Sequence, residues 1–153
     1  VYEDYGGSVL GVQQGPQSQV SRYGIVAPHK VKPNVWQAVD LVEKPEAEKA
    51  PSRLAVLGRY VLTPAIFDIL EHTKPGAGEE IQLTDAICEL ARKEKVYAYR
   101  FEGRRYDIGD KEGFLEATVE QALKRPEIRD DFMAYLVQRI GPLLRQKMEE
   151  DAE

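Results

Sequence analysis

The chain has 153 residues, 42% hydrophobic and 31% charged, which suits one domain with a real core and argues against a disordered chain. Its formal net charge of −5 argues against a general nucleic-acid binder, whose affinity comes from neutralising phosphates. One cysteine and two histidines distant in sequence exclude an internal disulfide and a cysteine zinc site, and point to a reducing, cytoplasmic compartment without a histidine metal cluster. The chain opens on Val1 and runs at once into Tyr2-Glu3-Asp4-Tyr5-Gly6-Gly7, which reads as a piece of something longer. Ser8 to Gln13 is a short strand between Gly6-Gly7 and Gly15-Pro16. A polar connection leads to a second short strand, Tyr23 to Val26, ended by Pro28. Gly24 within it is either a turn glycine or a place where a ligand approaches the backbone. Residues 29–34, with two lysines, a proline and an asparagine, read as a solvated connection in which His29 is exposed.

Val35 to Val42 alternates as a strand, with Trp36, Ala38 and Asp40 on one side and Val35, Val39 and Leu41 on the other. Pro45 cannot continue a ladder, so the strand ends on Val42-Glu43-Lys44-Pro45. Glu43 offers acceptors to a pair of neighbouring sugar hydroxyls, and Lys44 offers a point charge to a phosphate. The simpler interpretation is a strand-end ion pair facing water, which adds little to stability. Residues 46–52 make a charged surface loop. Arg53 to Leu62 is apolar nearly throughout and is expected to be central, with Gly58 marking a bulge or a closely approaching ligand. Thr63-Pro64 predicts a helix start, a hydroxyl cap followed by proline, and Ile66, Phe67, Ile69 and Leu70 its buried face.

Residues 74–80 form a Gly/Pro loop whose Gly-x-Gly pair lacks the remainder of a phosphate-cradling motif. Thr84-Asp85 predicts a capped helix to about Lys93, with Ala86, Ile87, Leu90 and Ala91 inward and Cys88 as a small buried residue. Lys95 to Phe101 alternates as a strand. Asp107, at the end of a short strand and two residues before Gly109, can point into a cleft and hold Mg2+; its plainer role is to cap the next helix, which Asp110 suits better. Leu115, Thr118, Val119 and Ala122 then mark an amphipathic helix closed by Pro126. A last helix over about 127–149 is expected to bury Phe132, Leu136, Ile140 and Leu144, and to kink or break at Gly141-Pro142. No apolar run approaches the length of a membrane span, so no membrane partner is expected. The order of elements predicts an α/β or α+β layer with a mixed sheet covered by helices.

Several stretches together match a known pattern: Tyr23-Gly24-Ile25-Val26, Val42-Glu43-Lys44-Pro45, Leu57-Gly58-Arg59-Tyr60-Val61-Leu62, the run from Pro75 through Gly-Glu-Glu-Ile-Gln-Leu-Thr-Asp-Ala to Ile87, and Tyr106-Asp107-Ile108-Gly109. On these, from about Tyr2 to about Ile140, the chain closely resembles the C-terminal half of bacterial UTP–glucose-1-phosphate uridylyltransferase, also called UDP-glucose pyrophosphorylase. The Glu-Lys-Pro site is common to many sugar-nucleotide pyrophosphorylases; the GEEIQLTDAI and GRYVL runs narrow it to the uridylyltransferase branch. The family's Gly-x-Gly-Thr-Arg loop, a following lysine and one Mg2+-binding aspartate have no counterpart here.

The resemblance implies an α/β fold, the C-terminal part of a Rossmann-like nucleotidyltransferase. Residues 1–110 would form the sugar-phosphate-binding half, and residues 111–153 a helical oligomerisation element. It implies the conversion of UTP and glucose 1-phosphate to UDP-glucose and pyrophosphate, by in-line attack of a sugar-phosphate oxygen on the α-phosphorus. Glu43 would accept from glucose hydroxyls, Lys44 would act catalytically on the phosphate that becomes the product's β-phosphate, and Gly24 would present backbone beside the sugar. Gly58 would bring backbone near the hexose, and Asp107 would be one ligand of the Mg2+ cofactor. The implied partners are UTP, glucose 1-phosphate, UDP-glucose and further copies of the chain, without nucleic acid. Because the triphosphate loop is missing, this chain alone is expected to be inactive. The alternatives are a thymidylyl- or cytidylyltransferase with the same site, and a non-catalytic pyrophosphorylase-like protein with a regulatory or assembly role.

Overall fold

The alternating stretches become five strands in the computed structural model, which describes residues 1–76 and 79–151. They are β1 (Ser8–Gln14), β2 (Gly24–Lys32), β3 (Val35–Glu43), β4 (Leu54–Val61) and β5 (Val96–Arg100). Helices α1 (Tyr2–Tyr5), α2 (Ala65–Leu70) and α3 (Leu83–Lys93) share the unit Val1–Glu102 with them, and α4 (Lys111–Lys124) and α5 (Pro126–Glu150) form a second unit, Gly103–Glu153. Ala77 and Gly78, the end of the Gly-x-Gly pair, lie outside the described residues.

The sheet is mixed, as expected, but it is not an open Rossmann-like layer. It closes into a barrel in the order β1-β4-β2-β3-β5. Closure comes from β5, which pairs parallel with β1 through Ser8↔Val96 to Val12↔Arg100 and antiparallel with β3 through Val35↔Tyr99 to Gln37↔Tyr97. The other pairings are antiparallel. Local irregularities supply the curvature that closure needs. Leu57, Gly58 and Arg59 stand opposite Gly11 alone, and Gly58 takes φ +69°, so β4 bulges where the sequence suggested.

The barrel interior and the inner faces of two helices make one core: Leu10, Val12, Val26, Ala38, Leu41, Leu54, Val96 and Ala98 from strands, Ile66 and Ile69 from α2, and Ala86, Ile87 and Leu90 from α3. Each fully buried Leu, Ile or Val contributes roughly 1.5–3 kcal/mol, so α3 is held mainly by its apolar stripe. A partly buried polar node joins β1, the segment after β4 and the end of α3. Glu94 Oε1 accepts from the Ser8 hydroxyl at 3.0 Å and the Thr63 hydroxyl at 2.7 Å, and the Thr63 N–H donates to Ser8 Oγ at 3.0 Å.

Several local expectations are corrected. Strand β2 runs through Pro28 to Lys32, because Pro28 falls at a register shift where the ladder is already interrupted; the turn is only Pro33-Asn34, with Asn34 at φ +62°. Strand β4 is buried at Leu54 and Ala55 but exposed from Gly58 to Val61. Thr63 spends its hydroxyl on Glu94 and does not cap α2, and Phe67 is 67% exposed. Cys88 is half-buried on the outer side of α3.

In the second unit, residues 103–107 contain no strand, so Asp107 lies in a loop. The Asp110 carboxylate caps α4 by accepting from the Gly113 N–H at 3.2 Å, and Pro126 opens α5. Helix α5 continues unbroken through Gly141-Pro142. No described residue of α4 or α5 is buried; Phe132 and Leu136 are half-covered, while Ile140 and Leu144 are exposed. Arg104 pairs with Glu116 and Glu120, and the Tyr106 hydroxyl donates to Glu120, so polar contacts tie the 104–106 loop to α4.

Candidate functional site

The site begins with an irregularity in β3. Ala27 pairs with Asp40 and Pro28 with Ala38, which leaves Val39 as a surplus residue. In a regular strand, 36, 38, 40 and 42 would share one face. The surplus residue reverses the alternation, so Leu41 and Glu43 join Ala38 on the inner side while Val39, Asp40 and Val42 face outward. Burial agrees: Ala38 and Leu41 are buried, the Glu43 side chain is 19% exposed, and Val39 is 56% exposed. Asp40 accordingly leaves the face assigned to it and meets α3 from outside, where its Oδ1 accepts from the Cys88 thiol at 2.8 Å. Burial and the Asp40 carboxylate raise the Cys88 thiol above its usual range, so it is a poor nucleophile.

Glu43 is the last residue of β3 and pairs with Gly24, the first of β2. Its Oε2 accepts from the Thr84 hydroxyl in the first turn of α3 at 2.5 Å, and its Oε1 lies 3.7 Å from Lys44 Nζ. Gly24 makes this approach possible. A Cβ there would come within 3.1 Å of Glu43 Oε2 and 3.2 Å of Thr84 Oγ1. Lys44 then turns the chain out of the strand at φ +44°, a conformation costing a non-glycine residue about 1 kcal/mol, with its N–H bonded to the Tyr23 carbonyl at 3.0 Å. The ammonium is left largely in solvent beside the carboxylate, placed to meet an anion. Burial, and secondarily the Glu43 charge, raise the Tyr60 phenol on β4 above its usual range.

The structure therefore brings Gly24, Glu43 and Lys44 together. Gly58 is a separate feature, the bulge of β4, where an added Cβ would meet open space. Asp107 lies in the other unit, its carboxylate accepting from the Arg105 guanidinium and from the Gly109 N–H, both at 3.3 Å. Among the described residues no three metal-ligating side chains converge, so these side chains do not compose a divalent-cation site by themselves; Asp107 offers one carboxylate. Thr84 was read from the sequence only as a helix cap. The signal available was the Thr84-Asp85 pair, two capping side chains where a helix needs one. Neither caps α3.

Residues 3–123 match the family model described as "Nucleotidyl transferase". A UTP–glucose-1-phosphate uridylyltransferase from Staphylococcus epidermidis is 52% identical over 138 residues, covering 90% of this chain and 48% of that protein. One from Streptococcus pyogenes is 47% identical over 138 residues, 90% of this chain and 46% of its own length. Among solved structures, a UDP-glucose pyrophosphorylase complexed with UDP-glucose superposes with a TM-score of 0.77 at 44% identity, over 81% of this chain and 47% of that one. A UTP-bound UGPase from Acinetobacter baumannii gives 0.78 at 36% identity, over 89% and 47%. The chain thus spans about half the length of the curated relatives it matches.

Proposed function

The chain belongs to the nucleotidyl transferase family, and from that premise we propose that it supplies the sugar-phosphate side of a UTP–glucose-1-phosphate uridylyltransferase site. One observation carries the proposal. The Glu43 carboxylate is fixed at the end of the barrel beside the Lys44 ammonium, in a chain about half identical to enzymes of that name. Glu43 keeps acceptor positions free for two adjacent hexose hydroxyls, and Lys44 neutralises phosphate charge.

In the proposed reaction a phosphate oxygen of glucose 1-phosphate bonds to the α-phosphorus of UTP, and the bond to pyrophosphate breaks. Catalysis of that kind is largely positioning and charge stabilisation, the two things this site is built to give. Gly24, against which Glu43 and Thr84 pack closely, is proposed to present its backbone beside the sugar, and Gly58 to approach the hexose from β4. A divalent cation would neutralise triphosphate charge when bound, and Asp107 is the carboxylate this chain would offer it. The exposed apolar side chains Ile140 and Leu144 on α5 are proposed to serve self-association. A cytoplasmic setting belongs to the same proposal, supported by the single cysteine; no helix among the described residues is long and apolar enough to cross a membrane.

The test is calorimetric titration of the chain with UDP-glucose, beside Glu43→Ala. Saturable binding that weakens at least about tenfold in the variant is expected from loss of hydrogen bonds to a charged acceptor. A cooperatively melting wild-type chain that binds no UDP-glucose would overturn the proposal.

A further inference from the structure

We infer that Thr84 is a positioning residue for the sugar-binding carboxylate, one that holds Glu43 in a single orientation before ligand arrives. This inference rests on the sugar-site reading above and deepens it. Three observations carry it. The Thr84 hydroxyl donates to Glu43 Oε2 at 2.5 Å, while the Lys44 ammonium, at 3.7 Å from Oε1, is beyond hydrogen-bonding distance. Lys44 therefore leaves the carboxylate free to rotate, and Thr84 is the group that stops it.

The second observation is where the hydroxyl is directed. Thr84 is the second residue of α3, two past the N-cap Gln82, so capping the helix does not fall to it. Helix α3 starts with no side-chain cap, and Thr84 donates across to another element instead. The third concerns rigidity. Thr84 shares α3 with Ala86, Ile87 and Leu90, all essentially solvent-free, so its hydroxyl is presented by an anchored element. Gly24 completes the arrangement: an added Cβ would lie 3.2 Å from Thr84 Oγ1 and 3.5 Å from its Cγ2, so the threonine fills the space the glycine leaves. A hydroxyl gives only one proton, so Oε1 and a second lone pair of Oε2 remain for a ligand's hydroxyls. Preorganisation of this kind raises affinity by removing the ordering cost from the binding step.

The experiment titrates the full chain with glucose 1-phosphate and with its 2-, 3-, 4- and 6-deoxy analogues, in wild type, Thr84→Val, Thr84→Ser and Glu43→Ala. Thr84→Val keeps the shape and removes the donor; Thr84→Ser keeps the donor. Expected are an approximately tenfold loss of affinity in Thr84→Val and recovery to within about threefold of wild type in Thr84→Ser. The penalty for omitting the hydroxyl that Glu43 accepts should also shrink in Thr84→Val, which a purely structural role would not produce. Wild-type affinity in Thr84→Val, equal losses in both threonine variants, or an unchanged deoxy-sugar penalty would overturn the inference while leaving the sugar site standing. Absence of binding by wild type, or indifference to Glu43→Ala, would remove the sugar site itself and this inference with it.

Discussion

Replacing Gly24 with alanine separates the stability of the fold from the competence of the site. Gly24 is buried at the start of β2, and its φ lies outside the left-handed region, so the backbone accepts an alanine. Reduced freedom of the unfolded chain then favours the variant by about 0.4–1 kcal/mol. Against this, the new methyl group would stand 3.1 Å from Glu43 Oε2 and 3.2 Å from Thr84 Oγ1, so both oxygens must withdraw by a few tenths of an ångström. The ladder holds Gly24 opposite Glu43, which leaves the side chains to move. A hydrogen bond to a charged acceptor is worth roughly 1.5–3 kcal/mol, and because Glu43 already reaches solvent, water recovers part of that. The net loss of stability should be about 1 kcal/mol or less, a fall in Tm of no more than about 5 °C for a unit of this size. A ligand must now reorient the displaced carboxylate, so affinity for UDP-glucose should drop by about ten- to a hundredfold. Differential scanning calorimetry and titration calorimetry on the same samples measure both. Affinity within about twofold of wild type, or a loss above about 3 kcal/mol from backbone disruption, would refute the reasoning.

Glu94→Ala removes the shared acceptor of the Ser8 and Thr63 hydroxyls and should cost about 2–4 kcal/mol in urea unfolding. A loss below about 0.5 kcal/mol would show that the node contributes nothing net. Cys88 should alkylate slowly with iodoacetamide at pH 8, because its raised pKa leaves little thiolate, and its rate should still be climbing above pH 9. Asp40→Asn removes a charge that holds the thiol protonated, so the rate at pH 8 should rise; an unchanged rate would mean that Asp40 does not control this thiol.

Much of the element order was legible because Gly, Pro and alternation are local signals. Ser8 to Gln14, Val35 to Glu43 and Val96 to Arg100 were each found within a residue or two. Barrel closure was not legible, since it depends on β5 accepting both β1 and β3, a fact of long-range pairing. Nor was the inward turn of Glu43. Simple alternation puts Asp40 with Ala38, and only the partnerless Val39, visible once β2 is laid beside β3, reverses the count. The last helix failed for a different reason. A 3.6-residue stripe states which side chains can be buried together, and Ile140 and Leu144 have nothing in their own unit large enough to cover them. The Glu-Lys-Pro motif singles out Glu43 and Lys44 within one strand end, whereas Thr84, although inside the GEEIQLTDAI run, could not be tied to Glu43 from sequence, because that contact joins two elements.

The parallel pairing of β1 with β5 also sets a schedule for synthesis. Strand β1 can zip to β4 once residue 61 has emerged, but its other edge waits for β5, which ends at Arg100. Joining positions roughly 90 residues apart costs on the order of 4 kcal/mol in loop entropy, and that contact cannot form early. At a translation rate of about 5–20 residues per second, β1 presents an unsatisfied backbone edge on the ribosome for roughly five to twenty seconds. Leu10 and Val12, among its most completely buried side chains in the finished barrel, are uncovered on that side meanwhile. The interval before β5 arrives is therefore the period in which a nascent chain is open to pairing with a neighbour or to capture by a chaperone.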